Sequence, residues 1–90
     1  MKNPTTPFTT HYPYLTYWIE EWGQIEITNG KDESWLTLIA HESICYEDEG
    51  SKSIDEAFKK AEKYIRKEEA PSHFDVETID ILEEIYKNQA

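Results

Sequence analysis

The chain has 90 residues, enough for one domain and one modest core, and three Trp, six Tyr and three Phe among them argue against disorder. Its net charge of −10 at pH 7 repels nucleic-acid phosphates and anionic lipid, so neither is an expected partner. Its one cysteine, Cys45, excludes a disulfide within the chain and fits a reducing, cytoplasmic setting.

Residues 1–11 carry Lys2, Pro4, Pro7 and four Thr, lack the apolar run of a signal peptide, and read as a flexible arm in which Phe8 is the one residue able to dock. Residues 12–90 read as a single α+β domain. No stretch approaches the ~20 apolar residues of a membrane helix.

Residues 12–21 alternate: Leu15, Tyr17 and Ile19 share one side, and Tyr14, Thr16, Trp18 and Glu20 the other. That alternation predicts a strand, with Trp22-Gly23 as the following turn and glycine supplying a positive φ. Ile25 and Ile27 continue as a second, half-buried strand. Residues 29–33 form a polar loop beginning Asn-Gly. A third strand spans residues 34–40, with Leu36, Leu38 and Ala40 inward and Trp35, Thr37, Ile39 and His41 outward. After a turn at His41-Glu42 comes a short fourth strand, residues 43–47.

Ser53 and Glu56 fit a capping box, and Ile54, Ala57, Phe58, Ala61, Tyr64 and Ile65 recur at the spacing of one buried helix face. The first helix is predicted from Ile54 to Glu69, ending before Pro71. A second begins near Asp75 or Val76, with Phe74 placed to staple against Ile79 if Asp75 is the N-cap. The predicted architecture is an antiparallel four-stranded β-meander followed by two C-terminal helices packed on one face.

No catalytic, metal or nucleotide motif stands out, and no cofactor is implied. His41 and Cys45 carry ligand chemistry, but the H-E-x-x-H zinc pattern would need a second imidazole where Cys45 stands, and no second ligand pair completes a tetrahedron. The acidic turns Asp32-Glu33 and Glu47-Asp48-Glu49 lack EF-hand spacing and read as solvated charge, with weak divalent binding as the alternative. His11, His41 and His73 sit in no triad or elbow context, so a hydrolase is the less favoured reading and a non-enzymatic role the expected one.

Lys59, Lys60, Lys63, Arg66 and Lys67 hold five of the nine basic residues. Asp55–Lys59, Glu56–Lys60 and Glu62–Arg66 are i, i+4 pairs with the acid first, so the cluster is expected to pair with itself rather than with phosphates. Tyr14, Trp18, Trp35 and Ile39 fall on the predicted outer sheet face and are the candidate partner-binding set.

Residues 14–19, the Gly23-Gln24-Ile25-Glu26-Ile27 segment and Ser53-Ile54-Asp55-Glu56-Ala57 resemble a group of short uncharacterised cyanobacterial proteins that pair a small β-meander with an S-L-D-E-A-L helix. The resemblance covers residues 14–66 and implies fold and source but no activity. The chain departs from that group at His41-Glu42-Ser43, where the group tends to have a glycine-rich turn. Gly50, Ser53, Glu56 and Ala57 are also similar to HicB-like antitoxins, which run from a β-hairpin through an acidic loop into a helix. The strand end characteristic of that group is missing here. That similarity implies an inhibitor whose acidic surface masks a basic RNA-directed toxin. The function expected overall is a small, soluble, cytoplasmic protein–protein interaction module, acting on an unidentified protein partner or as a homo-oligomer.

Overall fold

Helix begins where alternation predicts the first strand. The computed structural model describes residues 10–88, so the predicted N-terminal arm and Phe8 lie almost wholly outside the described residues. Helix α1, Pro13–Tyr17, widens into a π turn, Trp18–Trp22. Three strands follow: β1, Gln24–Ile27; β2, Leu36–Ala40; β3, Ser43–Glu47. Helix α2, Ile54–Tyr64, runs through a second π turn, Ile65–Glu69, into one more helical turn, Ala70–His73. Helix α3 is Val76–Lys87. Among the described residues the result is an α+β fold with a three-stranded antiparallel sheet in the order β1-β2-β3 and three helices, not a four-stranded meander followed by two.

The physical reason for the first correction lies in spacing. Tyr14, Trp18 and Trp22 recur every four residues, and Tyr14, Leu15 and Trp18 are fully buried together, as one helix face requires. The alternation pattern put Leu15 and Ile19 on one side, yet Leu15 is buried and Ile19 is 39% exposed. Pro13 occupies the first helical turn, where its missing N–H costs nothing. Gly23 is needed for close approach rather than for a positive φ. Its φ is −154°, and a Cβ there would sit 2.2 Å from the Ile39 carbonyl oxygen. This contact lets the end of α1 lie against β2, with Trp18 Nε1 donating to Gln24 O at 3.0 Å.

Downstream, period two holds. Leu36, Leu38 and Ala40 are buried on the inner face, with Thr37 and Ile39 between them facing out. Ile25 pairs with Leu38 and Ile27 with Leu36. His41 and Glu42, at φ of 54° and 64°, form the two-residue left-handed turn that a tight hairpin demands. A bulge leaves Cys45 between the Leu38–Tyr46 and Ile39–Ile44 pairs.

The helix does not break at Pro71. Proline lacks an N–H and its ring crowds the carbonyl one turn back. The π turn just before it, closed by Ala70 N–H on Ile65 O, widens the ladder and lets the helix carry on to His73. Ser53 caps α2 by accepting from Glu56 N–H at 3.2 Å, while Glu56 accepts from Lys52 N–H, one residue before the predicted capping-box partner. Asp75 caps α3 by accepting from Thr78 N–H at 2.8 Å. The core joins Leu15 and Trp18 of α1, Leu36 and Leu38 of the sheet, Ala57, Ala61 and Ile65 of the long helix, and Leu82 of α3.

Candidate functional site

The site is built on an unusual helix start. Tyr12, at the N-cap of α1, offers no side-chain cap, and Pro13 carries no N–H, so Tyr14 and Leu15 present the first free donors. Glu62 of α2 meets both: its Oε2 accepts from Tyr14 N–H at 3.0 Å and its Oε1 from Leu15 N–H at 2.7 Å. The Tyr86 hydroxyl of α3 donates to the same carboxylate. Burial pushes the Glu62 carboxyl above the ordinary range, and these hydrogen bonds and Arg66 pull against that rise.

A second carboxylate sits beside it. Arg66 grips Glu83 through Nε at 2.9 Å and a terminal nitrogen at 2.8 Å, a two-point fork. The Tyr14 hydroxyl also donates to Glu83, and the Arg66 guanidinium lies 4.1 Å from the Tyr86 ring centroid. Arg66 holds the Glu83 carboxyl below its usual range, while burial and the neighbouring carboxylates hold the Tyr14 and Tyr86 hydroxyls protonated well beyond neutral pH.

Above this network lies a cleft of about 700 Å³, the size of a small-ligand or peptide pocket. Tyr12, Tyr86, Pro71 and Ile79 supply apolar wall, and Lys59, Lys63 and Lys67 line it from one side of the long helix. The predicted self-pairing of the basic cluster does not occur. Glu62 is committed to α1, Arg66 to Glu83, and Lys60 Nζ donates to Glu49 O at 2.9 Å. Among the described residues Lys59, Lys63 and Lys67 form no ion pair.

The sequence-derived set Tyr14, Trp18, Trp35 and Ile39 is not brought together on one face. Tyr14 and Trp18 are 1% and 0% exposed, in the core. Trp35 is half-buried, its indole donating to Ser51 O at 3.0 Å and its ring packed where a Cβ on Gly30 would come within 2.5 Å. Ile39 alone of the set stands on the outer sheet face, opposite the exposed Ile44.

Asp48, central in an acidic turn, is buried. Its carboxylate accepts from Trp35 N–H at 2.9 Å and from the Ser51 hydroxyl at 2.6 Å, so it ties the loop before α2 to the sheet instead of facing solvent. The His41 ring meets Trp22 edge-on at 5.6 Å, and Cys45 Sγ points to Ser43 O at 3.7 Å. Among the described residues no three His, Cys, Asp or Glu side chains converge to hold a metal.

Sequence reasoning missed Glu62, Tyr86 and the open lysine row. One signal was present: Glu62 stands four residues after Phe58 and three before Ile65, a carboxylate inside the apolar stripe of its own helix. Among the described residues no helix is long and apolar enough to cross a membrane. Compared with protein-family models, curated proteins and solved structures, the chain matches none.

Proposed function

We propose that the chain is a non-enzymatic binding module whose contact surface is the cleft between α1, the long helix and α3. The carrying observation is that Lys59, Lys63 and Lys67 line one side of that cleft without an ion pair among the described residues, in a chain of net charge −10. An apolar wall edged by charge fits the arrangement of an interface, whose centre is apolar and whose charged rim steers and orients the partner. The groups with acid–base chemistry beneath it are committed to structure. Glu62 serves two backbone donors and Tyr86, and Glu83 serves Arg66 and Tyr14. That arrangement supports binding over catalysis.

Capture from a lysate of the native cell tests the reading. The chain and its Lys59→Glu/Lys63→Glu/Lys67→Glu variant serve as paired baits. A protein held by the chain and lost with the variant supports the cleft as the contact surface. An unchanged set of captured proteins moves that surface elsewhere, with the Ile39–Ile44 face the next candidate.

A further inference from the structure

We infer that the cleft takes a short acidic segment of a partner protein, laid along the long helix with its carboxylates on Lys59, Lys63 and Lys67. This rests on the cleft being the binding surface and adds the chemistry of the occupant. The three lysines recur every four residues, so their stems follow a line of roughly 12 Å at a rise of ~1.5 Å per residue. Carboxylates on alternate residues of an extended segment repeat every ~6.6 Å, close to the spacing of successive lysines. A helix with acids at i and i+4 matches as well. Between the acids, an apolar side chain meets Tyr86 and Ile79.

The carboxylates on the cleft floor do not cancel this row. Glu83 is neutralised by its fork with Arg66, and Glu62 faces the positive end of α1 through two N–H donors. A nucleic-acid strand fits less well. Exposed Asp55 and Glu68 bracket the row, so a phosphate track longer than the row runs into like charge. Residues 1–9 contain no Asp or Glu and carry Lys2, so their composition offers the lysine row no countercharge.

Titration of the labelled full chain, followed by NMR of the cleft residues, tests this with named probes: a short peptide alternating glutamate and phenylalanine, the same peptide with glutamine for glutamate, and oligothymidylate. The acidic peptide is expected to shift the Ile79 and Tyr86 resonances, to bind at least about tenfold more tightly than the glutamine peptide, and to weaken about tenfold in Lys59→Gln/Lys63→Gln/Lys67→Gln. Circular dichroism checks that the variant keeps its fold, as three exposed positions should allow. If both peptides bind equally at the cleft, the acidic inference fails and the binding surface stands. Both fail if neither peptide shifts cleft resonances. Oligothymidylate binding more tightly than the acidic peptide also overturns the inference, in favour of a phosphate track.

Discussion

Glu62 and Tyr14 are 48 residues apart in sequence, yet the Glu62 carboxylate accepts the Tyr14 N–H, the first free backbone donor of the helix that Pro13 opens. A helix as short as Pro13–Tyr17 with one π turn does not hold itself together in water, because nucleation costs more than so few hydrogen bonds return. The cap therefore makes α1 a product of tertiary structure, its helical state supported by the contact with α2. Glu62→Ala leaves the Tyr14 and Leu15 N–H groups and the Tyr86 hydroxyl without their acceptor, and should cost ~3 kcal/mol or more. Urea denaturation measures it; a loss below ~1 kcal/mol would show that water serves these donors equally well.

The two buried-side carboxylates should give stability opposite pH trends. Burial raises the Glu62 carboxyl, so its contribution is fully present below the ordinary glutamate value of ~4.3 and is lost as pH rises through the raised value. Arg66 depresses the Glu83 carboxyl, so its contribution is present above ~4.3 and is lost as pH falls through the depressed value. Urea midpoints of the parent, Glu62→Gln and Glu83→Gln across acidic to neutral pH separate the two. The parent's margin over Glu62→Gln should shrink with rising pH, and its margin over Glu83→Gln should shrink with falling pH. Parallel slopes would contradict both assignments.

Gly23 joins α1 to the sheet by the absence of a side chain. Gly23→Ala places a methyl 2.2 Å from the Ile39 carbonyl oxygen, so either the end of α1 or β2 must move. The expected loss is ~2 kcal/mol or above, the scale of an overpacked core contact. A variant as stable as the parent would mean that α1 can lift from β2 without loss.

Where local pattern and tertiary environment agree, the fold was legible. The 36–40 strand reads from period two because its inner residues are apolar and its flanks polar, and the strand at 43–47 follows from the same pattern and its turn. Caps at Ser53 and Asp75 read from local chemistry. The segment 12–22 did not, because eight of its eleven residues, Pro13 included, are aromatic or apolar, and a run that rich satisfies both periods. Its helical state depends on Glu62, which no local window contains. The lysine row was hidden for a different reason. The i, i+4 acids answer Lys60 and Arg66, whereas Lys63 and Lys67 have a lysine four residues back and, among the described residues, Asp55 forms no ion pair with Lys59.

Ser53→Ala removes the hydroxyl that accepts Glu56 N–H at the start of α2, and should lower stability by ~1 kcal/mol. Ser53→Asp, which keeps an acceptor, should restore most of it. A denaturation midpoint that does not respond to either change would mean that Glu56 on Lys52 N–H does the capping alone.

Trp18 and Ile44 separate core from surface. Trp18 is fully buried, its ring in the core and its indole N–H on Gln24 O, so Trp18→Ala removes both packing and a hydrogen bond. The expected cost is ~4 kcal/mol, a large part of the stability of a domain this small. Ile44 is 61% exposed on the outer sheet face, and Ile44→Ser should change stability by no more than ~0.5 kcal/mol. Circular dichroism during urea unfolding reads both. If Trp18→Ala unfolds near the parent's midpoint, α1 is not packed as described, and the outer-face position that alternation predicts for Trp18 returns. If Ile44→Ser unfolds the chain, the outer face carries core contacts, and it loses its standing as the second candidate surface.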